Sequence, residues 1–313
     1  MPQHCQPWLA DGNVVVASAD DTKAFRVHRS VLSTYSEVFS NMFSASHEGE
    51  GAIDGCPVVH LQDQADDIEH VLRALYGRGY HHQRGQAMLI PFAVVEAFLR
   101  LGKKYQIKEL YEEARICLLC DFPDNFASWC SRSRSISFPS QKALFIKVAN
   151  IAQEVGLQRV LPAALYACMT ECSLAEIYNG VQEEGEIASL SSHNRAICVA
   201  SWQSFQALAS KTFSWASPMP SPSNSYCRSK TLCADRKRVV LSNKFYPAFA
   251  AQALENFDHD WNQGMCSLCA SNNLILHNEG RENAWNKFPA LFNLATVWDD
   301  LKDDGVVAQA PAA

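Results

Sequence analysis

Apolar positions change period twice in the first third of the chain. Over 13–18 (NVVVAS) and 23–28 (KAFRVH) they run on or alternate, and the polar ADDT between them is a turn signal, which together predict a β-hairpin. From Ser30 on, Val31, Leu32, Tyr35, Val38, Phe39, Met42 and Phe43 recur at helical spacing, so one or two short helices follow, with Ser30 as N-terminal cap. Acidic, Gly-rich 47–55 is a loop, and the apolar run 58–61 (VVHL) suits a buried strand. Asp66 or Asp67 can cap the next helix, whose face is Ile68, Val71, Leu72, Leu75 and Tyr76. Pro91 stands at a helix start, Phe92, Val95, Phe98, Leu99, Gly102 and Tyr105 continue the stripe, and 107–120 supplies a further helix.

Beyond Pro123 the stretch 130–140 (CSRSRSISFPS) reads as a linker or exposed loop and a phosphorylation site. Helices resume at roughly 141–156, 159–172 and 194–213 with little strand pattern between them, so this region is expected to be helical. The Pro- and Ser-rich segment 216–225 (ASPMPSPSNS) is too stiff and polar for a core and marks a boundary. The expected organisation is α+β for 8–120, a helical extension over 121–215, a linker over 216–225 and a helical, cysteine-containing module over 226–304.

Composition narrows the functional classes. At 313 residues, 48% apolar and 19% charged, the chain can bury about two cores. A net charge of −6 disfavours nucleic acid and anionic lipid. The N-terminus has no basic region followed by an apolar run, and no apolar segment approaches the roughly 20 residues that span a bilayer. Twelve cysteines without an N-x-S/T sequon point to free thiols in cytosol or nucleus.

The order of elements carries a resemblance. The hairpin, then FRVHRSVLSTYSEVFSNMF (25–43), a strand VVHL and a helix ending in ALY resemble the BTB/POZ domain over 8–120, with His28, Leu32, Phe39 and Phe43 as its signature. DGNVVV (11–16), GCPVV (55–59), ALYGRGYHH (74–82) and AFLRLGKKY (97–105) resemble, more narrowly, BTB proteins of mushroom-forming fungi. The resemblance implies a protein-interaction module that homodimerises through its N-terminal strand and first helices and docks a protein partner. It also implies a buried charged pair at the dimer-side pocket, falling on Asp11 and Arg29. Physical reasoning supports the pair, because an Arg at the start of a buried helix needs a carboxylate partner. His28 is read as a core histidine bonded to backbone, since no nucleophile accompanies it.

Cullin-binding relatives of that fold carry a hydrophobic-x-Glu motif after the helix ending in Met-Phe. Here the loop reads SASHEGEG (44–51), where Ser46 and Glu48 stand in the hydrophobic position, so a cullin-type ubiquitin-ligase adaptor ranks behind a general interaction module.

The cysteines fall into two classes. Cys117 with Cys120 and Cys168 with Cys172 lie in apolar helical stretches and are expected to pack as small hydrophobes. Cys266-x2-Cys269 has knuckle spacing, and Cys227-x5-Cys233 lies across an expected helix at 244–261. If the pairs meet, four thiolates make a structural zinc site, with His277 as an alternative ligand. The deaminase motif is excluded because the Cys pair precedes the His and Met265 stands where Pro belongs. No Gly-rich phosphate loop, G-x-S-x-G or H-E-x-x-H is found, so the expectation is a non-enzyme. Arg236-Lys237-Arg238 is the one basic triplet on which a nucleic-acid-binding regulator would draw, but paired histidines at finger spacing are missing.

Overall fold

The computed structural model describes residues 2–45, 52–77, 89–133, 135–183, 185–217, 227–247, 249 and 251–305. The chain divides into two compact units, Met1–Leu161 with Asp303–Ala313, and Pro162–Lys302.

In the first unit β1 (Gln3–Trp8) precedes the expected hairpin of β2 (Val14–Ser18) and β3 (Lys23–Val27). Asp20 closes that turn by accepting from the Ser18 hydroxyl at 2.6 Å and from the Thr22 hydroxyl at 2.8 Å. Helices α1 (Arg29–Tyr35) and α2 (Glu37–Ala45) follow, then β4 (Ala52–Ile53), β5 (Cys56–Leu61) and α3 (Ala65–Tyr76). The sheet order is β1-β3-β2-β5-β4, with β1 parallel to β3, β3 antiparallel to β2, and β2 parallel to β5. β2 is buried at every position, which explains the apolar run Val14 to Ala17 that precedes Ser18.

The α3 stripe buries Ile68, Val71 and Leu72, but Gln64 holds the cap position. Asp66 and Asp67 instead occupy the first turn, where the helix dipole favours them. After β6 (Ile90–Pro91), α4 (Phe92–Lys104) buries Phe92, Val95, Phe98 and Leu99, and α5 (Lys108–Asp121) packs against it.

The segment expected to be an open linker is anchored. Following α6 (Phe126–Ser131), β7 (Ile136–Ser137) pairs with β6, Ile136 is fully buried, and Ser135 donates its hydroxyl to Asp121 at 2.5 Å. Ser135 is therefore engaged in the fold. α7 (Gln141–Val155) then packs on α4, where Arg100 bridges Glu96 at 2.6 Å and Glu154 at 2.8 Å. It ends at Gly156 with φ +73°, where a Cβ would collide with the Asp304 carboxylate. Residues 303 and 304 thus return to this unit: Asp303 Oδ1 accepts from Arg159 N at 2.9 Å, and the Asp304 carbonyl accepts from the Tyr111 hydroxyl at 3.0 Å.

The second unit contains α8 (Leu161–Glu171), α9 (Leu174–Asn179), the short hairpin β8 (Val181–Glu183) and β9 (Glu186–Ala188), and α10 (Ser192–Thr212). It continues with α11 (Lys230–Phe245), α12 (Ser267–Trp285) and α13 (Phe288–Leu291). The division falls elsewhere than the Pro/Ser segment. Residues 218–226 lie outside the described residues, but the positions flanking them share one core: Trp215 Nε1 donates to His277 Nδ1 at 3.1 Å.

No continuous helix spans 244–261. α11 lies earlier, because Pro247 forces extended backbone on Tyr246 (φ −141°, ψ 140°) and stops the helix there. Its place is taken by a 3-10 turn at His259–Asn262. Among the described residues, no helix is long and apolar enough to cross a membrane.

Candidate functional site

The N-terminal signature residues meet around α1 and α2. Leu32 and Phe39 are buried, and Phe39 stacks on Tyr105 with ring centroids 4.5 Å apart and on Phe43 at 5.9 Å. The helices leave Val31, Tyr35, Val38, Met42 and Phe43 partly or fully exposed, an apolar face on two consecutive short elements.

The expected Asp11–Arg29 pair is not formed within the chain. Asp11 is 85% exposed, and its Oδ2 lies 3.4 Å from Nε2 of His28. The Arg29 guanidinium lies 5.7 Å over the Phe43 ring, and its Nε is buried without a hydrogen-bond partner. The reason is local. The α1 start is closed by Asn13, whose Oδ1 accepts from Arg29 N at 2.9 Å, and this draws the chain before β2 onto the helix backbone rather than its side chain. His28 is half-buried rather than a sealed core residue. Its ring faces Asp11, and its backbone N–H donates to the Tyr76 hydroxyl at 2.7 Å.

The serine roles also differ from expectation. Ser30 is exposed inside α1, so it caps nothing. Ser36 is the buried cap of α2: its Oγ accepts from Phe39 N at 3.0 Å and donates to the Tyr105 carbonyl at 2.5 Å. The S-x-V-F order at 36–39 was the available signal, a Ser three residues before a core aromatic. Residues 46–51, on which the cullin reading turned, lie outside the described residues.

In the second unit the two cysteine pairs do meet. The sulfurs of Cys227, Cys233, Cys266 and Cys269 all lie within 4.8 Å of one another, the one such group of potential metal ligands among the described residues. Cys227 and Cys266 sulfurs are 4.0 Å apart, and Cys266 N donates to Cys233 Sγ at 3.3 Å. A tetrahedron with metal–sulfur bonds of about 2.3 Å has edges of about 3.8 Å, so small inward shifts would close this group on one ion. Cys266 is the cap residue of α12, and backbone N–H groups of Cys269 and Arg228 aimed at its sulfur hold its thiol down at about 6. Burial pushes the thiols of Cys233 and Cys269 up. The donor set is soft, four-fold and half-buried, which fits a structural metal of the zinc type.

His277 does not belong to this group. It is fully buried, its Nδ1 accepts from Trp215 and its Nε2 donates to the Glu255 carbonyl at 2.8 Å, so both ring nitrogens are occupied. Trp215, Phe213, Phe257 and Trp261 surround the ring with centroids between 5.1 and 6.2 Å away. Burial pulls its pKa down to about 4, so it is neutral at pH 7.

The basic triplet does not form one exposed cluster, since of its three side chains Arg238 is exposed, Arg236 is half-buried and Lys237 is buried. Arg236 donates through Nε to the Trp261 carbonyl at 3.2 Å, Lys237 is buried and Arg238 pairs with Asp235 at 2.5 Å. No basic stripe is left there for a phosphate backbone. Cys168 and Cys172 are buried as expected, but Cys120 is exposed, so the pair at 117 and 120 is only half packed.

No curated protein matches this chain. Residues 7–119, which hold β2 to β5 of the sheet with the end of β1, α1 to α4 and nearly all of α5, match the model of the BTB/POZ domain family, and the chain carries a BTB/POZ domain followed by a helical region.

Proposed function

We propose that this chain is a non-catalytic protein-interaction module that homodimerises through its BTB/POZ domain and recruits a protein partner. The observation that carries this reading is the match of residues 7–119 to a domain family of protein-interaction modules. The surface agrees with it. β1 lies at the edge of the sheet, while α1 and α2 expose the Val31, Tyr35, Val38, Met42 and Phe43 face. Asp11 is exposed and free to meet a second copy, while the buried Arg29 Nε lacks an acceptor within the chain.

In the second unit the four-cysteine group is taken to hold one structural zinc ion. A cytosolic or nuclear setting goes with this reading, since it keeps those thiols reduced. The test of the module itself is the solution mass of the intact chain, which should be about twice 34.8 kDa at micromolar concentration.

A further inference from the structure

The starts of α11 and α12 are built alike. Thr231-Leu232-Cys233-Ala234 and Ser267-Leu268-Cys269-Ala270 read TLCA and SLCA, each in the first turn of its helix. In both, the Leu is exposed, the Cys buried and the Ala half-buried. Each helix therefore contributes one buried sulfur from its first turn. A second sulfur comes from the chain just before it, Cys227 ahead of α11 and Cys266 at the cap of α12.

Charge placement agrees with a metal–thiolate centre. Neither helix has an acidic side chain in its first turn, and at α12 the first-turn N–H of Cys269 is aimed at the Cys266 sulfur. Helix N-termini favour anions, and a divalent ion with four thiolates carries a net charge of −2. Two helix starts converging on four neutral thiols would gain nothing comparable.

Resting on the zinc reading above, we propose that these two near-repeated half-sites close on a single zinc ion as a tetrathiolate, and that this ion is the joint on which the second unit folds. All four positions are filled by cysteine, so no coordination position is left open for a substrate and the centre is structural. Its mechanical effect follows from the packing: α11 and α12 each lean on the 3-10 turns Ser214–Ala216 and His259–Asn262, which carry Trp215 and Trp261 of the aromatic shell. Fixing the two helix starts fixes the walls around those rings.

The test uses the full-length chain purified without chelator. About one zinc per chain is expected, and replacement by cobalt should give the sulfur-to-metal charge transfer and intense visible bands of a tetrahedral tetrathiolate. Cys233→Ser and Cys269→Ser should each lose that spectrum, whereas His277→Gln should keep it. Chelation of the wild type should red-shift tryptophan emission as Trp215 and Trp261 lose their packing. Absence of zinc, iron in its place, two disulfides among the four cysteines, or a mixed sulfur–nitrogen cobalt spectrum would overturn the tetrathiolate. An emission spectrum unmoved by complete zinc removal would overturn the joint. Where the serine variants fail to fold, the wild-type cobalt spectrum decides. Self-association is read separately by solution mass, so its failure would leave the metal result standing, and the reverse.

Discussion

The hydroxyl of Ser36 donates to the backbone carbonyl of Tyr105 across 2.5 Å, tying the start of α2 to the end of α4. The same oxygen accepts from Phe39 N, and the Phe39 ring stacks on Tyr105. One buried atom thus sets the angle at which the exposed α1–α2 face is presented.

Ser36→Ala leaves a buried carbonyl and a buried N–H unsatisfied. The expected loss is about 2 kcal/mol, read as a lower urea midpoint of the full-length chain with unchanged slope. An unmoved midpoint would mean that water replaces the hydroxyl at no cost.

The Asp11–His28 contact has the opposite character. Asp11 is 85% exposed, so Asp11→Asn should cost less than about 1 kcal/mol in the dilute chain, and less still at high salt. A loss of about 3 kcal/mol would instead show a buried pair with Arg29.

His277 gives the second unit a pH signature. Its folded pKa is lowered to about 4 from an ordinary 6.5, so the unfolded chain binds the extra proton in that window. The stability it contributes is present above pH 6.5 and lost as pH falls toward 4. His277→Gln should therefore be less stable than wild type at pH 7, and thermal unfolding should show the gap narrowing between pH 6.5 and 4. A gap that is constant with pH would mean that the ring does not change its proton in this range.

Period carried much of the fold into view. The β2–β3 hairpin and the α3 and α4 stripes are legible because burial on one face forces alternation or helical spacing. Caps were less legible: whether Ser30 or Ser36 caps depends on where α1 ends, and Asn13 closes α1 from beyond the hairpin. The helix expected at 244–261 ignored Pro247, whose effect on Tyr246 outweighs the flanking apolar residues. The segment expected as a boundary at 216–225 lies mostly outside the described residues, and Trp215 beside it bonds His277 far along the sequence, a pairing no local pattern encodes. Cysteine spacing did bring the four sulfurs to notice, and the TLCA/SLCA repeat would have shown which two residues hold equivalent places. His277 was misplaced as a ligand because its partners, an indole N–H and a backbone carbonyl, leave no trace in spacing.

Self-association of the intact chain tests the account most directly. Sedimentation velocity at micromolar concentration should give a species of about twice 34.8 kDa that dissociates on dilution. Replacing Tyr35 and Met42, both on the exposed α1–α2 face, with charged residues should shift that equilibrium toward monomer without loss of folded signal. A single 34.8 kDa species at every concentration would contradict the homodimer and, with it, the role given to that face.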